Sequence, residues 1–377
     1  MTTPRARPGR VRTTPGVPLL LACALPFAHG CGGNGAGGGD GGPITVEASF
    51  GELGYAPGQF QYPRAMALVP ADHTHPRTLV VIDKTARVQR IDPESRLPVG
   101  EFRMPDSELG KPTGVGVGPH PADPARTLLW VADTHYQRVL AYDVPDGRVE
   151  NPEPVIAFGS YGEELGQFIY PTDVAIETRD DGTLRRVFVS EYGGNDRVTV
   201  LVPDERGDLK PVAAFGRQGN AGADDTDGTL VFHRPQDLTW DERNDLLVVA
   251  DAINHRVLRL RIDDDNIPHL VDSIGGPGRI GRAQGQLDHP YSVALLDDGT
   301  LLVSEFGACR VQRFRPETGD SLGTWGVGGR REGELLNPWE IVVIDDLAWV
   351  LDSGNNRALA FDAPGGGAAV ASTGDAP

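Results

Sequence analysis

Between residues 44 and 362 the apolar positions fall in short runs separated by polar, glycine-rich turns, a strand pattern and not the three-and-four spacing of helices. One kind of run ends on an acid. It reads LVVID to Asp83, LWVAD to Asp133, VFVSE to Glu191, LVVAD to Asp251, LLVSE to Glu305 and AWVLD to Asp352. Before each comes a proline (Pro63, Pro112, Pro171, Pro235, Pro290, Pro338) and a first apolar strand, as in Val174-Ala175-Ile176. After each comes a short loop and an arginine that opens a third strand: Arg87, Arg138, Arg197, Arg256, Arg310 and Arg357. A fourth strand then ends on Phe102, Phe158, Phe215, Ile274 or Trp325.

Four antiparallel strands in a unit of about 55 residues, written six times, predict an all-β, six-bladed β-propeller. The strand count predicts how the ring closes. Residues 44–50 supply a fourth strand with no first three, and the sixth unit lacks its fourth after Phe361-Asp362. The N-terminal strand therefore completes the last blade and removes two exposed sheet edges. Domain boundaries follow: 1–30 an export signal, 31–43 a glycine-rich tether, 44–362 the propeller, and 363–377 a disordered tail.

The address is written at the start. Arg5, Arg7, Arg10 and Arg12 precede a short apolar core from Val17 to Ala28, too short to span a bilayer. Cys31 then opens a run of glycines. This resembles a bacterial lipoprotein signal, which implies lipidation of Cys31 and a chain anchored to the cell envelope, in the periplasm or at the outer membrane. Simple secretion is the alternative. Cys23 and Cys31 both lie in this region, which leaves Cys309 alone in the folded part and expects no disulfide there.

The repeat also has a family look. Gly58-Gln59-Phe60 with Pro63 and Gly166-Gln167-Phe168 with Pro171 share one pattern, and Gly285-Gln286-Leu287 and Gly333-Glu334-Leu335 are variants. Val249-Ala250-Asp251, Asn254 and Arg256 form the other half. This resembles the NHL repeat, over nearly the whole of 44–362. Met104 to Lys111 lacks the signature. The resemblance implies the propeller fold, but the family spans scaffolds, ligand binders, RNA binders and lyases.

Composition narrows the function. Gly 49 and Pro 31 make about a fifth of the chain, which suits many turns and not long helices. The net charge of −18 repels phosphate backbones, so nucleic acid is not an expected partner.

Six acids and six arginines repeat without asymmetry, so the pairs Asp83–Arg87, Asp133–Arg138, Glu191–Arg197, Asp251–Arg256, Glu305–Arg310 and Asp352–Arg357 read as scaffold. Function is sought where the repeat varies. The two positions after each proline should enter the innermost strand at the mouth of the central channel. The first reads Arg64, Thr113, Thr172, Gln236, Tyr291, Trp339; the second Ala65, Gly114, Asp173, Asp237, Ser292, Glu340. Arg64, Asp173, Asp237, Tyr291, Trp339 and Glu340 thus form a candidate binding site. A solvated channel mouth with ordinary strand-start residues is the plainer account. The expected role is non-enzymatic binding of a protein, peptide or carbohydrate by a monomer, with no cofactor required. The alternative is a lyase or lactone hydrolase with calcium or another divalent cation at Asp173, Asp237 and Glu340.

Other signals are weaker. His73 and His75 make an H-x-H pair, with His120 in the next unit's equivalent loop, and His135 and His255 sit in separate loops. All read as solvated histidines. Ala223–Gly228 misses two ligand positions of a calcium loop, Asp263–Asn266 reads as a hairpin turn, and Gly114–Gly118 lacks the lysine of a phosphate loop.

Overall fold

A computed structural model describes residues 42–71, 76–225 and 228–362. The export signal, Cys31, most of the tether, the His73/His75 pair and the tail lie outside the described residues. Six antiparallel four-stranded sheets stand around an axis, as the repeat predicts. Each blade's first strand is innermost: Pro63–Val69, Gly114–His120, Tyr170–Thr178, Pro235–Asp241, Pro290–Leu295 and Pro338–Ile344. The apolar core is divided among the gaps between blades. Val80, Ile82 and Phe102 of blade one meet Leu129, Val131 and Tyr142 of blade two, and equivalent clusters fill the other five interfaces. This is why second strands such as Thr78–Asp83 and Leu246–Asp251 are buried along their whole length.

The ring closes through Ala48–Phe50, which pairs antiparallel with Ala358–Ala360 in the sheet of Pro338–Ile344. The ladder is shorter than the expected 44–50. Glu47 still donates to the Ala360 carbonyl at 2.9 Å, but Ile44 turns to donate to Gly333 at 2.8 Å and buries its side chain between blades five and six. Blade one gains an unexpected fifth strand: Gly147–Arg148, from a long connection in blade two, pairs parallel with its edge. Gly100 permits this, since a Cβ there would lie 2.2 Å from the Pro145 carbonyl oxygen.

The Gly-Gln-Phe signature is a loop-folding device. In all four signature loops one short parallel bridge forms: Leu53 with Phe60, Tyr161 with Phe168, Ile280 with Leu287, Gly328 with Leu335. The glutamine folds under the loop, and its Oε1 accepts a backbone N–H, from Ala56 at 3.0 Å in the first. The buried phenylalanine packs so closely on the glycine ending the previous blade that a Cβ on Gly51 would sit 2.5 Å from the Phe60 ring. Phe168 on Gly159 and Phe232 on Gly216 repeat that contact. Blade two has neither partner: Arg103 stands where the glycine would be, and Met104 fills the space.

Cys309 is corrected. It is disulfide-bonded, not alone, and its partner lies outside the described residues.

Candidate ligand site at the channel mouth

All six acid–arginine pairs form, at 3.1 Å for Asp83–Arg87, 2.8 Å for Asp133–Arg138, 2.6 Å for Glu191–Arg197, 2.9 Å for Asp251–Arg256, 2.7 Å for Glu305–Arg310 and 2.8 Å for Asp352–Arg357. Each acid except Asp133 also accepts a backbone N–H from the loop entering its own blade, as Glu191 does from Ile169 at 2.8 Å and Asp352 from Leu336 at 2.7 Å. Five of the arginines donate onward to carbonyls of those loops, Arg197 to Glu163, Glu164 and Gln167 for example, while Arg138 reaches the Asp106 carboxylate. The pairs staple one loop to one hairpin.

The residue before the proline is left-handed in five blades: Tyr62, Lys111, Arg234, His289 and Asn337. That turn swings the chain from loop to inner strand. In three of them its N–H is held by a side chain of the preceding blade: Tyr62 by Asn356 at 2.7 Å, Arg234 by Asp196 at 2.5 Å, His289 by His255 Nδ1 at 3.2 Å. His255 therefore has a scaffold duty and is half-buried, not solvated. With Asp288 and His289 it forms a metal-capable cluster within 4.8 Å. Its Nδ1, however, is occupied by the His289 N–H, and Asp288 is held by Arg282 at 3.0 Å.

The predicted mouth residues separate into two tiers. The upper tier is aromatic and cationic. Tyr291 stacks on Phe306 at 4.3 Å and meets Trp339 edge-on at 5.1 Å, and Tyr62 meets Trp339 at 6.0 Å. Arg64 lies over Trp339 at 5.0 Å and Tyr62 at 5.7 Å; Arg234 lies over Tyr192 at 5.0 Å and Tyr291 at 5.4 Å. Tyr192, Tyr170 and His135 carry the arc onward. Burial, together with the Lys111 and Arg64 cations, pushes the His135 imidazole down to about 4, and burial pushes the Tyr62 phenol up to about 12. Tyr62, Tyr192, Arg234 and Phe306 are members of this tier that the sequence reading did not single out, and His135, read there as solvated, is half-buried. Tyr62 and Arg234 adjoin the prolines, so one more position per repeat would have found them.

The lower tier holds the acids. Asp173, Asp237 and Glu340 are 5%, 5% and 9% exposed, as buried as Tyr291 and Trp339 at 2% and 5%, and not at an open mouth. They knit blades together. Asp173 accepts the Leu238 N–H at 2.8 Å, Asp237 the Val293 N–H at 3.1 Å, and Ser292 bonds both Glu340 and the Ile341 N–H. Gly114 is the second-position residue of blade two because a Cβ there would meet Asp173 Oδ1 at 2.1 Å. Burial raises Asp173 to about 6, and burial plus the neighbouring carboxylates raises Asp237 and Glu340 well above the usual range. Among the described residues these three do not bring one oxygen each within 4.8 Å of the others.

At the other end of the channel a cavity of about 660 Å³ is lined by inner-strand residues such as Gly116, Val174 and Ala175 and by the Trp240–Asn244 and Leu295–Gly299 hairpins.

No protein-family model matches the chain, and no characterised protein matches it by sequence. Solved structures do match by shape. The Cps50 (Swd1) β-propeller domain of Myceliophteria thermophila is 11% identical with a TM-score of 0.51, over 85% of this chain and 100% of that one. A protein of unknown function from Bacteroides thetaiotaomicron is 12% identical at 0.51, over 85% and 74%. An auxiliary nutrient binding protein from the same organism is 12% identical at 0.51, over 80% and 69%. At such identities the likeness speaks for the fold alone, and by fold this chain is a six-bladed β-propeller.

Proposed function

We propose that this chain is an exported, non-catalytic binding propeller of NHL type that acts as a monomer. It holds a protein, peptide or carbohydrate partner over the mouth formed by Tyr62, Arg64, Arg234, Tyr291 and Trp339. One observation carries this reading: the non-repeating residues gathered at the mouth supply stacking faces and cations, the chemistry of recognition. The acids that a cation-dependent enzyme would need are committed to hydrogen bonds between blades. That a nutrient-binding protein is among the shape neighbours is compatible with this role.

Export follows from the arginine-rich start and its apolar core. The anchor expected at Cys31 competes with the disulfide at Cys309 if both claim the same sulfur, and display at the envelope requires only export.

The test is a thermal-shift screen of peptides, oligosaccharides and small acids. A ligand selective for the native state raises the melting temperature. Stabilisation should be lost in Trp339→Ala and kept in Glu242→Gln, at the opposite end. Hits that ignore Trp339→Ala and fail with Glu242→Gln would move the site to the cavity there.

A further inference from the structure

Arg64 differs from the buried arginines of the described residues. Arg87, Arg186, Arg256, Arg259, Arg310 and Arg313 each have a carboxylate within ion-pair distance, and Arg90 donates to Thr78 at 2.8 Å. Arg64 is partly buried and makes neither a salt bridge nor a hydrogen bond to any described residue; its Nε is shielded from solvent and has no partner. The groups acting on its charge are Tyr62, Tyr192, Tyr291 and Arg234, with no carboxylate among them. Together with His135 and Trp339 these come from every blade, so the guanidinium stands close to the axis. Two more buried polar atoms in this tier lack partners: Gln236 Nε2, on a side chain 2% exposed, and His135 Nδ1. A desolvated cation with no counter-charge is costly, and a chain with Asp+Glu 53 had acids to spare for it.

We propose that Arg64 is the anchor of a carboxylate subsite. A ligand presents one carboxylate end-on to the two terminal nitrogens of Arg64, which are not shielded as Nε is, and the apolar or aromatic part next to that carboxylate lies against the Trp339 and Tyr62 edge of the mouth. The planar fork of a guanidinium matches a carboxylate in two parallel hydrogen bonds. A single negative charge neutralises the single cation, whereas the strongly acidic chain repels polyanions at long range. This inference rests on reading the mouth as the binding face.

The probes are sodium benzoate and its neutral isostere benzamide, titrated calorimetrically into the full-length exported protein. Benzoate should bind, and benzamide at least about tenfold more weakly. Arg64→Gln should weaken benzoate at least about tenfold, and Arg64→Lys, which keeps charge but loses the fork, should fall between. A second reading does not depend on affinity. Without ligand, Arg64→Met should melt no lower than the wild type, because the arginine has no ion pair or hydrogen bond to lose and methionine can still pack on the Trp339 and Tyr62 rings; benzoate should raise the melting temperature of the wild type only.

Equal binding of benzoate and benzamide, no response of the wild type to benzoate, benzoate binding that survives Arg64→Gln, or a clearly lower melting temperature for Arg64→Met would each overturn the subsite. A screened partner lost with Trp339→Ala but held by Arg64→Gln would leave the mouth as the binding face and remove the carboxylate from it.

Discussion

The carboxylate of Asp173 accepts the backbone N–H of Leu238, in the next blade, at 2.8 Å. Asp237 repeats the contact one blade on, with Val293 at 3.1 Å. These acids are structural and nearly dry, and their folded-state values lie above those of the unfolded chain. The folded state therefore holds their protons more tightly. Their contribution to stability is complete below about 4 and is lost as pH rises through the folded values, about 6 for Asp173 and well above the usual carboxylate range for Asp237 and Glu340. Asp237→Asn keeps an oxygen for Val293 and removes the charge. Its melting temperature should equal or exceed that of the wild type at pH 8 and change less between pH 4 and pH 8. A variant that melts far lower at pH 8 would show the ionised form to be the one the fold needs.

Arg310 joins Glu305 to the carbonyls of Arg282, Ala283 and Gln286, and both side chains of the pair are buried. Arg310→Ala should cost about 3–5 kcal/mol in urea unfolding, because a buried carboxylate loses its cation. Arg138 is more exposed and reaches the Asp106 carboxylate where its counterparts reach loop carbonyls. Arg138→Ala should cost less. Equal losses at the two sites would mean that the staple to the loop adds nothing.

Closure depends on a three-residue strand and on the packing of Phe50, whose ring lies 5.3 Å from Trp349. Phe50→Ala should destabilise by about 3–5 kcal/mol. Truncation after Asp362 should leave the melting temperature unchanged. A harmless Phe50→Ala would mean that the ring does not need the strand.

The bonded state of Cys309 bears on the envelope anchor. Besides Cys309 the sequence holds Cys23 and Cys31. Non-reducing peptide mapping should find the Cys309 peptide in a cross-link that reduction breaks. A diacylated Cys31 peptide without that link would instead establish the lipid anchor.

The fold was legible because it is repeated. Six acid–arginine pairs recur, five of them with the same backbone duties, and in blade two the missing Gly-Gln-Phe corresponds to a loop built differently. The fifth strand of blade one was not legible, since Gly147–Arg148 pairs through backbone alone, outside any repeat. At the mouth, position along the strand was readable and depth was not. Asp173 and Trp339 hold adjacent repeat positions, yet one side chain turns into the blade interface and the other into the aromatic layer. Tyr192 and Phe306 follow the acids that end their second strands, where the sequence shows only the start of a hairpin loop. The scaffold duty of His255 depends on a partner 34 residues away.

The most direct measurement is nitrogen-detected NMR of the arginine side chains during a benzoate titration. The Arg64 Nε–H should shift and exchange more slowly with water as benzoate saturates the protein, while the stapled Arg87 and Arg310 stay still. An Arg64 signal unmoved by saturating benzoate, with shifts elsewhere, would contradict a ligand site built on this arginine.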